Sequence, residues 1–236
     1  MKDRVYLVDG RYFEQASRAF GKRRVFLPSV CCPSLPETTA YHPDMALCPV
    51  APGKVVCAPE VYEAYRELLA PFGVTVLSGE TRLRSDYPGD VAYNVLITEK
   101  CAFSRTDCTD SVVKKCLTEQ GKTLISVAQG YACCSSRSFG NCLSTADPSL
   151  LRGGEKAGLS VLPISAGHIL LPGYDYGFIG GASGILESET VCFFGDLNTH
   201  PDGEKIRTFI EVRGFSVLDV PGMPLTDIGT VLCIEL

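Results

Sequence analysis

The chain has 236 residues, of which 45% are hydrophobic and 21% are charged, and its formal net charge is −5. These values are typical of a globular protein, and the length allows a single domain with a well-buried core. Basic residues do not cluster beyond Lys22-Arg23-Arg24, so nucleic acid is not expected as a partner. The least charged stretch, residues 157–174, contains two prolines and three glycines, so it is not expected to cross a membrane.

Cysteine is frequent, with 12 residues in the chain. Residues 1–10 indicate a charged start followed by a short strand rather than a signal peptide, so we expect a cytoplasmic protein with reduced cysteines. The adjacent pairs Cys31-Cys32 and Cys133-Cys134 lack zinc-ligand spacing, and no Cys-x-x-Cys pair occurs, so no metal or cofactor is expected. Five cysteines in apolar strand or helix patterns are expected to pack as small hydrophobic residues: Cys57, Cys101, Cys116, Cys142 and Cys192.

One pattern recurs along the chain: an amphipathic helix, a glycine that ends it, and a strand. The helices are predicted at residues 11–20, 60–72, 111–120, 148–157 and 201–213. The strands that follow are predicted at residues 25–27, 74–77, 123–127, 159–162 and 215–218. The intervening glycines are expected to end the helices in the left-handed conformation, which glycine adopts at little cost; they are Gly21, Gly73, Gly121, Gly158 and Gly214.

Each helix is also preceded by a predicted pair of strands. The pairs lie at residues 45–50 with 55–58, 91–98 with 101–104, 131–136 with 141–145, and 176–186 with 191–195. The fifth pair is split, because its first strand is the C-terminal segment 229–236 and its second lies at residues 4–8. We therefore predict an α/β fold in one domain, residues 1–236, with five strand–strand–helix–strand units closed into a ring around a polar channel.

Four of the units enter their first strand through an aspartate: Asp44, Asp90, Asp175 and Asp227. Equivalent positions of a five-unit ring converge on its axis, where these carboxylates would repel one another unless a cation lay between them. The alternative is ordinary turn chemistry, because aspartate favours turns that start strands. Asn94 lies four residues after Asp90 on the predicted strand, so both side chains are expected to point into the channel.

The predicted architecture resembles the pentein, or guanidino-group-modifying enzyme, superfamily over nearly the whole chain. Two segments are similar to the dimethylarginine dimethylaminohydrolase branch: Gly89-Asp90-Val91, with its continuation to Thr106, and the C-terminal run from Asp227 to Leu236. The chain also resembles an uncharacterised group of bacterial pentein-fold proteins. The resemblance implies a five-fold pseudosymmetric α/β propeller of ββαβ units, with the last unit closed by the N- and C-termini.

The resemblance also implies a reaction in which a cysteine thiolate attacks a guanidinium carbon, a histidine acts as acid and base, and carboxylates hold the guanidinium. Cys233 matches the nucleophile position within about one residue, and Asp90 matches a substrate-side acid. Tyr131 occupies the region where the family has its catalytic histidine. His42-Pro43-Asp44 repeats the family's His-x-Asp pattern in the first unit instead of the third, where His42 could face Cys233 or serve only in a turn.

Two further segments could line the channel. Tyr174 and Tyr176 flank Asp175, and this combination of rings and a carboxylate suits a cationic ligand, although it could equally close a turn. Residues 180–184 contain Gly-x-Ser-x-Gly, but they lie inside a predicted hairpin rather than at a strand-to-helix turn. They are therefore predicted to form a glycine-rich loop beside the channel rather than a nucleophile elbow.

Two functions remain open on the sequence. The first is a cysteine-dependent hydrolase or transferase acting on a guanidino or amidino small molecule, with Cys233, His42 and Asp44 as catalytic residues. The second is a non-catalytic pentein-fold protein that binds a small cation or a macromolecular partner. In both, the expected binding residues are Asp90, Asn94, Tyr131, Tyr174, Asp175 and Asp227. The enzyme requires that the Cys233 sulfur, His42 and at least two carboxylates point into one cavity.

Overall fold

A computed structural model describes residues 4–21, 23–187 and 189–236. Lys22 of the basic cluster and the first three residues of the predicted charged start lie outside these ranges. The N-terminal half contains β1 (Arg4–Val8), α1 (Phe13–Phe20), β2 (Val25–Pro28), α2 (Pro43–Ala46), β3 (Leu47–Ala51), β4 (Lys54–Cys57), α3 (Tyr62–Leu69), β5 (Thr75–Ser78), β6 (Leu96–Ile97), β7 (Cys101–Ser104) and α4 (Ser111–Glu119). The C-terminal half contains β8 (Thr123–Ser126), β9 (Ser136–Phe139), β10 (Cys142–Thr145), α5 (Pro148–Lys156), β11 (Ser160–Pro163), β12 (Ser183–Glu187), β13 (Thr190–Phe193), α6 (Gly203–Glu211), β14 (Ser216–Leu218) and β15 (Leu232–Glu235).

These strands form five three-stranded sheets, and all five sheets have the same topology. In each sheet the middle strand pairs antiparallel with the first strand of the unit and parallel with the third. A helix connects the second strand to the third, as the parallel pairing requires. The predicted strand–strand–helix–strand unit is therefore present five times.

The fifth unit is completed by the two ends of the chain, as predicted. β1 pairs with β15 in an antiparallel register that runs from Arg4 opposite Glu235 to Leu7 opposite Leu232. Arg4 Nη2 also donates to Glu235 Oε1 at 2.7 Å. This pairing joins residues at opposite ends of the chain into one sheet.

The first strands of the five units, β3, β6, β9, β12 and β15, lie next to one another around the ring. β6 contacts β9, β9 contacts β12, β12 contacts β15, and β15 contacts β3. At the remaining junction the Asn94 side chain, just before β6, donates to the carbonyl of Asp44, just before β3. The segments that lead into these strands consequently meet in the middle of the molecule.

Four of the five predicted glycine helix ends are confirmed. Gly73, Gly121, Gly158 and Gly214 have φ values between 70° and 81°. Gly21 is the exception, because its φ is −71° and its amide donates to the carbonyl of Ser17. A Cβ at Gly21 would collide with that carbonyl, so here close approach rather than a left-handed backbone explains the glycine.

The first strand of each unit begins later than predicted. Residues 43–46 form α2, which starts at Pro43, a residue whose fixed φ suits a first helical position. Residues 90–94 form turns instead of a strand, and the strands predicted from residues 131, 176 and 229 begin only at Ser136, Ser183 and Leu232. Buried turns at the ring centre contain apolar residues, so their composition resembles that of the strands they precede.

The five cysteines predicted to pack as hydrophobic residues are all buried, and all 12 cysteines are free thiols. Within the described residues no helix combines the length and the apolar composition that a membrane crossing would need.

Candidate active site

A cavity of about 260 Å³ lies where the segments before the five first strands converge. Every unit contributes to its wall, because His42 precedes β3, Asp90 precedes β6, Cys134 precedes β9, Phe178 precedes β12 and Asp227 precedes β15. The structure brings together seven of the residues singled out in the sequence: His42, Asp90, Tyr131, Tyr174, Asp175, Tyr176 and Asp227. Three others, Asp44, Asn94 and Cys233, do not line this cavity.

Asp90 lines the cavity and has a buried acceptor atom that is not used. The Tyr131 hydroxyl donates to Asp90 Oδ2 at 2.6 Å, whereas the buried Oδ1 atom has no hydrogen-bond partner within the described residues. Burial raises the pKa of Asp90, and the hydrogen bond from Tyr131 opposes that rise. An unpaired buried acceptor is costly, so a ligand N–H group that reached Oδ1 would be bound with a net gain.

Asp227 is held by the backbone on two sides. Its Oδ2 accepts from the amide of Phe178 at 2.8 Å, and its Oδ1 accepts from the amide of Gly229 at 2.9 Å. Burial raises the pKa of Asp227, while nearby His42 lowers it. A Cβ at Gly181 would collide with this carboxylate, which explains why the predicted glycine-rich loop carries glycine there.

His42 lies between two aspartates at the start of α2. Its Nδ1 is 3.8 Å from Asp227 Oδ1 and its Nε2 is 3.8 Å from Asp9 Oδ2, and Nε2 has no hydrogen-bond partner within the described residues. Burial lowers the pKa of His42, and the two aspartates only partly oppose this effect. The imidazole is therefore biased towards its neutral form, which can accept a proton.

Asp44 does not line the cavity, but it is hydrogen-bonded to Cys134, which does. Its Oδ2 accepts from Cys134 Sγ and from Thr230 Oγ1, both at 2.9 Å, and its buried Oδ1 has no partner within the described residues. Burial raises the pKa of Asp44 to about 6. Burial and the neighbouring Asp44 raise the pKa of the Cys134 thiol well above its ordinary value, so the thiol is protonated in the empty site.

Asn94 supports the cavity from behind instead of lining it. Its Oδ1 accepts from the amide of Cys133 at 2.8 Å, and its Nδ2 lies 2.9 Å from Cys134 Sγ. The expectation that Asn94 points into the channel beside Asp90 is wrong, because the Asn94 amide closes a turn onto the carbonyl of Val91. The four-residue periodicity of a strand does not apply within such a turn.

Cys233 faces a different cavity. It lines a space of about 640 Å³ together with Arg137 and Phe215, and burial raises its pKa to about 11. The requirement that Cys233 and His42 point into one cavity is therefore not met. Cys233 matches the nucleophile position only within about one residue, and an offset of one residue on a strand turns a side chain to the opposite face.

Cys134 is a potential nucleophile of the cavity that the sequence does not single out. It follows Tyr131 by three residues, in the segment where the resembling family carries its histidine. The adjacent Cys133-Cys134 pair lacks zinc-ligand spacing, and the signal for a site residue in the sequence is its position just before a first strand. Cys134 is the cysteine that lines the same cavity as His42, Asp90 and Asp227.

The mouth of the cavity is aromatic. The Tyr131 and Phe178 ring centroids are 6.1 Å apart, and those of Tyr176 and Phe178 are 6.2 Å apart. Tyr174 and Tyr176 are about half exposed, and Asp175 between them is exposed. Rings and carboxylates arranged in this way attract organic cations.

Residues 7–232 match the sequence model of a family described as "Family of unknown function (DUF6873)". The chain belongs to this family. No curated protein matches the chain.

Among solved structures, this member of the DUF6873 family is similar to C. jejuni agmatine deiminase, with a TM-score of 0.53, 10% identity, and coverage of 93% of this chain and 86% of that chain. It also matches SxtG, an amidinotransferase from Microseira wollei in the saxitoxin biosynthetic pathway, with a TM-score of 0.49, 12% identity, and coverage of 83% and 67%. A mutant DDAH from Pseudomonas aeruginosa complexed with citrulline matches with a TM-score of 0.38, 12% identity, and coverage of 100% and 99%. The fold is that of the pentein superfamily, as the sequence predicts.

Proposed function

We propose that this DUF6873 protein is a cysteine-dependent hydrolase or transferase acting on a guanidino or amidino small molecule, with Cys134 in place of Cys233 as the nucleophile. The observation that carries the proposal is a single cavity lined by Cys134, His42 and Asp90, whose buried Oδ1 has no hydrogen-bond partner within the described residues.

The ligand class follows from the charges and rings of the cavity. Asp90, Asp175 and Asp227 line it, and three tyrosines and Phe178 supply the aromatic surface. A guanidinium or amidinium ion is planar, carries its charge over several N–H groups, and can donate to a carboxylate while stacking on a ring. Asp90 Oδ1 would accept one of these N–H groups.

Asp44 is the candidate base for the thiol. It already accepts the Cys134 hydrogen bond, and a pKa of about 6 makes it a stronger base than an ordinary aspartate. A bound cation would lower the pKa of Cys134, so that the proton passes from Sγ to Asp44 Oδ2 as Sγ attacks the amidinium carbon. The C–N bond to the leaving amine then breaks, and the amine takes the proton from Asp44.

His42 is the candidate base for the second half of the reaction. Its neutral Nε2 would take a proton from water as the water oxygen attacks the carbon bound to Sγ. The C–S bond breaks, the product leaves with the new oxygen, and the thiol is restored. In a transferase an acceptor amine replaces the water.

The second candidate is non-catalytic binding of a small organic cation. It is favoured by the protonated state of Cys134, whose thiol is hydrogen-bonded to Asp44 and surrounded by acidic groups. A cation can bind to Asp90 and the rings without any transfer of the thiol proton.

The free state of all 12 cysteines supports a reducing location, and a cytoplasmic location remains part of both proposals.

Two measurements separate these functions. Binding of agmatine, arginine and benzamidine is measured by calorimetry on the unmodified protein, on Asp90→Asn and on Asp86→Asn, an exposed aspartate that serves as the control. Asp90→Asn should weaken binding roughly tenfold or more, since hydrogen bonds to charged groups contribute about 1.5–3 kcal/mol. Equal affinity in all three proteins would contradict the assigned site.

Turnover is then followed as amine release and as a covalent adduct detected by mass spectrometry. The enzyme predicts an adduct on Cys134 that is lost in Cys134→Ser and kept in Cys233→Ser, the matched control. Binding without release or adduct for any guanidino or amidino compound would favour the non-catalytic function.

A further inference from the structure

The larger cavity of about 640 Å³ is separate from the candidate active site, since the two share no lining residue. Its wall includes Arg137, Cys233, Thr230 and the rings of Phe139 and Phe215. This space forms a second recess of the ring, and the proposed reaction does not use it.

Arg137 is a buried cation at this cavity with only neutral partners. It is 7% exposed, its Nε donates to Ser183 Oγ at 2.8 Å, and its Nη2 donates to the carbonyls of Gly180 at 2.8 Å and Ser183 at 2.9 Å. Its Nη1 has no hydrogen-bond partner within the described residues. No ion pair formed by the described part of the chain includes Arg137.

A buried guanidinium without a carboxylate in hydrogen-bond contact is expensive, because its desolvation is offset only by the interaction with the more distant Asp44. The three hydrogen bonds to neutral acceptors fix the plane of the group and leave both Nη1 hydrogens for another molecule. Such a fixed donor suits the oxygens of a carboxylate. We propose that this cavity binds a small carboxylate whose charged group meets Arg137 Nη1.

The rest of the wall indicates the shape and charge of this ligand. Phe139 and Phe215 meet edge to face with centroids 5.2 Å apart, and Ile97 and Ile185 extend the apolar surface. Glu99 and Glu235 also line the cavity and would repel a second negative charge. The ligand is therefore a monoanion with an apolar body, such as an aliphatic or aromatic acid.

The Asp44 carboxylate connects a residue of one cavity to a residue of the other. Thr230 lines the larger cavity and Cys134 the smaller one, and both donate to Asp44 Oδ2. The positive charge of Arg137 acts to lower the pKa of Asp44. A carboxylate bound at Arg137 would offset that charge and favour the protonated form of Asp44, so the second site would act on the first.

Cys233 provides the reporter for a test, because it lines the same cavity as Arg137. Alkylation of Cys233 is followed by mass spectrometry, with the exposed Cys31 as the internal reference. Hexanoate and benzoate should slow alkylation of Cys233 by iodoacetamide about tenfold at ten times their dissociation constants, and leave Cys31 unchanged. Hexanamide and benzamide should not protect, and Arg137→Gln should lose the protection by the acids.

Two results would overturn the proposal: no protection by either acid, or equal protection by the matched amides. Equal protection by inorganic phosphate would overturn the assignment of an apolar monoanion. A second measurement does not depend on folding of the variant. In the unmodified protein the ratio of the iodoacetate rate to the iodoacetamide rate should be higher at Cys233 than at Cys31, and an equal or lower ratio would refute a free positive charge in the cavity.

Discussion

The raised pKa of Asp44 predicts an unusual pH dependence of stability. A carboxyl group that titrates near 6 in the folded protein and near its ordinary value of 3.8 in the unfolded chain binds its proton more tightly in the folded state. Its contribution is fully present below about pH 4 and is lost as the pH rises through about 6. The difference between 3.8 and about 6, at about 1.36 kcal/mol per pH unit, corresponds to about 3 kcal/mol.

Asp44→Asn removes this ionisation and keeps an oxygen for the hydrogen bonds from Cys134 and Thr230. The amide also places an N–H group where Oδ1 has no partner, which adds a cost that is constant with pH. The prediction therefore concerns a trend. The free energy of unfolding of Asp44→Asn minus that of the unmodified protein should rise by about 3 kcal/mol between pH 4 and pH 7.5.

Urea unfolding at half-unit pH steps, extrapolated linearly to water, measures this difference. Asp86→Asn is the control, because Asp86 is exposed and its pairing with Arg84 lowers its pKa, so its difference should not rise with pH. A flat or falling difference for Asp44→Asn across this range would refute the reasoning, whatever its absolute stability.

Three further predictions follow from the geometry. Deleting residues 229–236 removes β15 and its pairing with β1, so the truncated protein should lose its cooperative thermal transition in circular dichroism. A thermal transition like that of the full chain would contradict the closure of the ring. Gly181→Ala should destabilise the protein by about 1–3 kcal/mol in urea unfolding, because its methyl group would collide with Asp227. Gly153→Ala should cost less, because its methyl group would come no closer than 3.3 Å to the side chains of Val127 and Phe103. The rate of Cys233 alkylation should rise about tenfold per pH unit between pH 8 and 10, because the Cys233 pKa is about 11 and the thiolate is the reactive form. A rate that reaches a plateau below pH 9 would contradict a raised pKa.

The ring could be predicted from the sequence because its signals are local. Gly73, Gly121, Gly158 and Gly214 mark helix ends through a backbone requirement that no other residue meets as cheaply. The repeat of these signals, together with the split fifth unit, predicts the pairing of β1 with β15 without knowledge of any distant contact.

The site was only partly predictable because it lies on turns. Asp90 and Asp227 could be predicted because each lies just before the first strand of a unit. That position stays next to the cavity even though the residues form turns instead of strands. The predicted orientation of Asn94 is wrong because it assumes the periodicity of a strand, whereas Asn94 lies in a turn. The predicted role of Cys233 depends on which face of β15 it occupies, and a shift of one residue reverses that face. Cys134 depends on a contact with Asp44 across 90 positions of the chain, which no local pattern reports.

The split unit also has a consequence for biosynthesis. β1, α1 and β2 are synthesised before β15, because Glu235, which pairs with Arg4, lies 231 positions later in the chain. At a typical elongation rate of about 5–20 residues per second, the edge of β1 that pairs with β15 remains unpaired for roughly 10–50 s. During that time the nascent chain exposes an unpaired strand edge on which other chains can add. The sheet that contains β1 can therefore be completed only after β15 has been synthesised, 231 positions after Arg4.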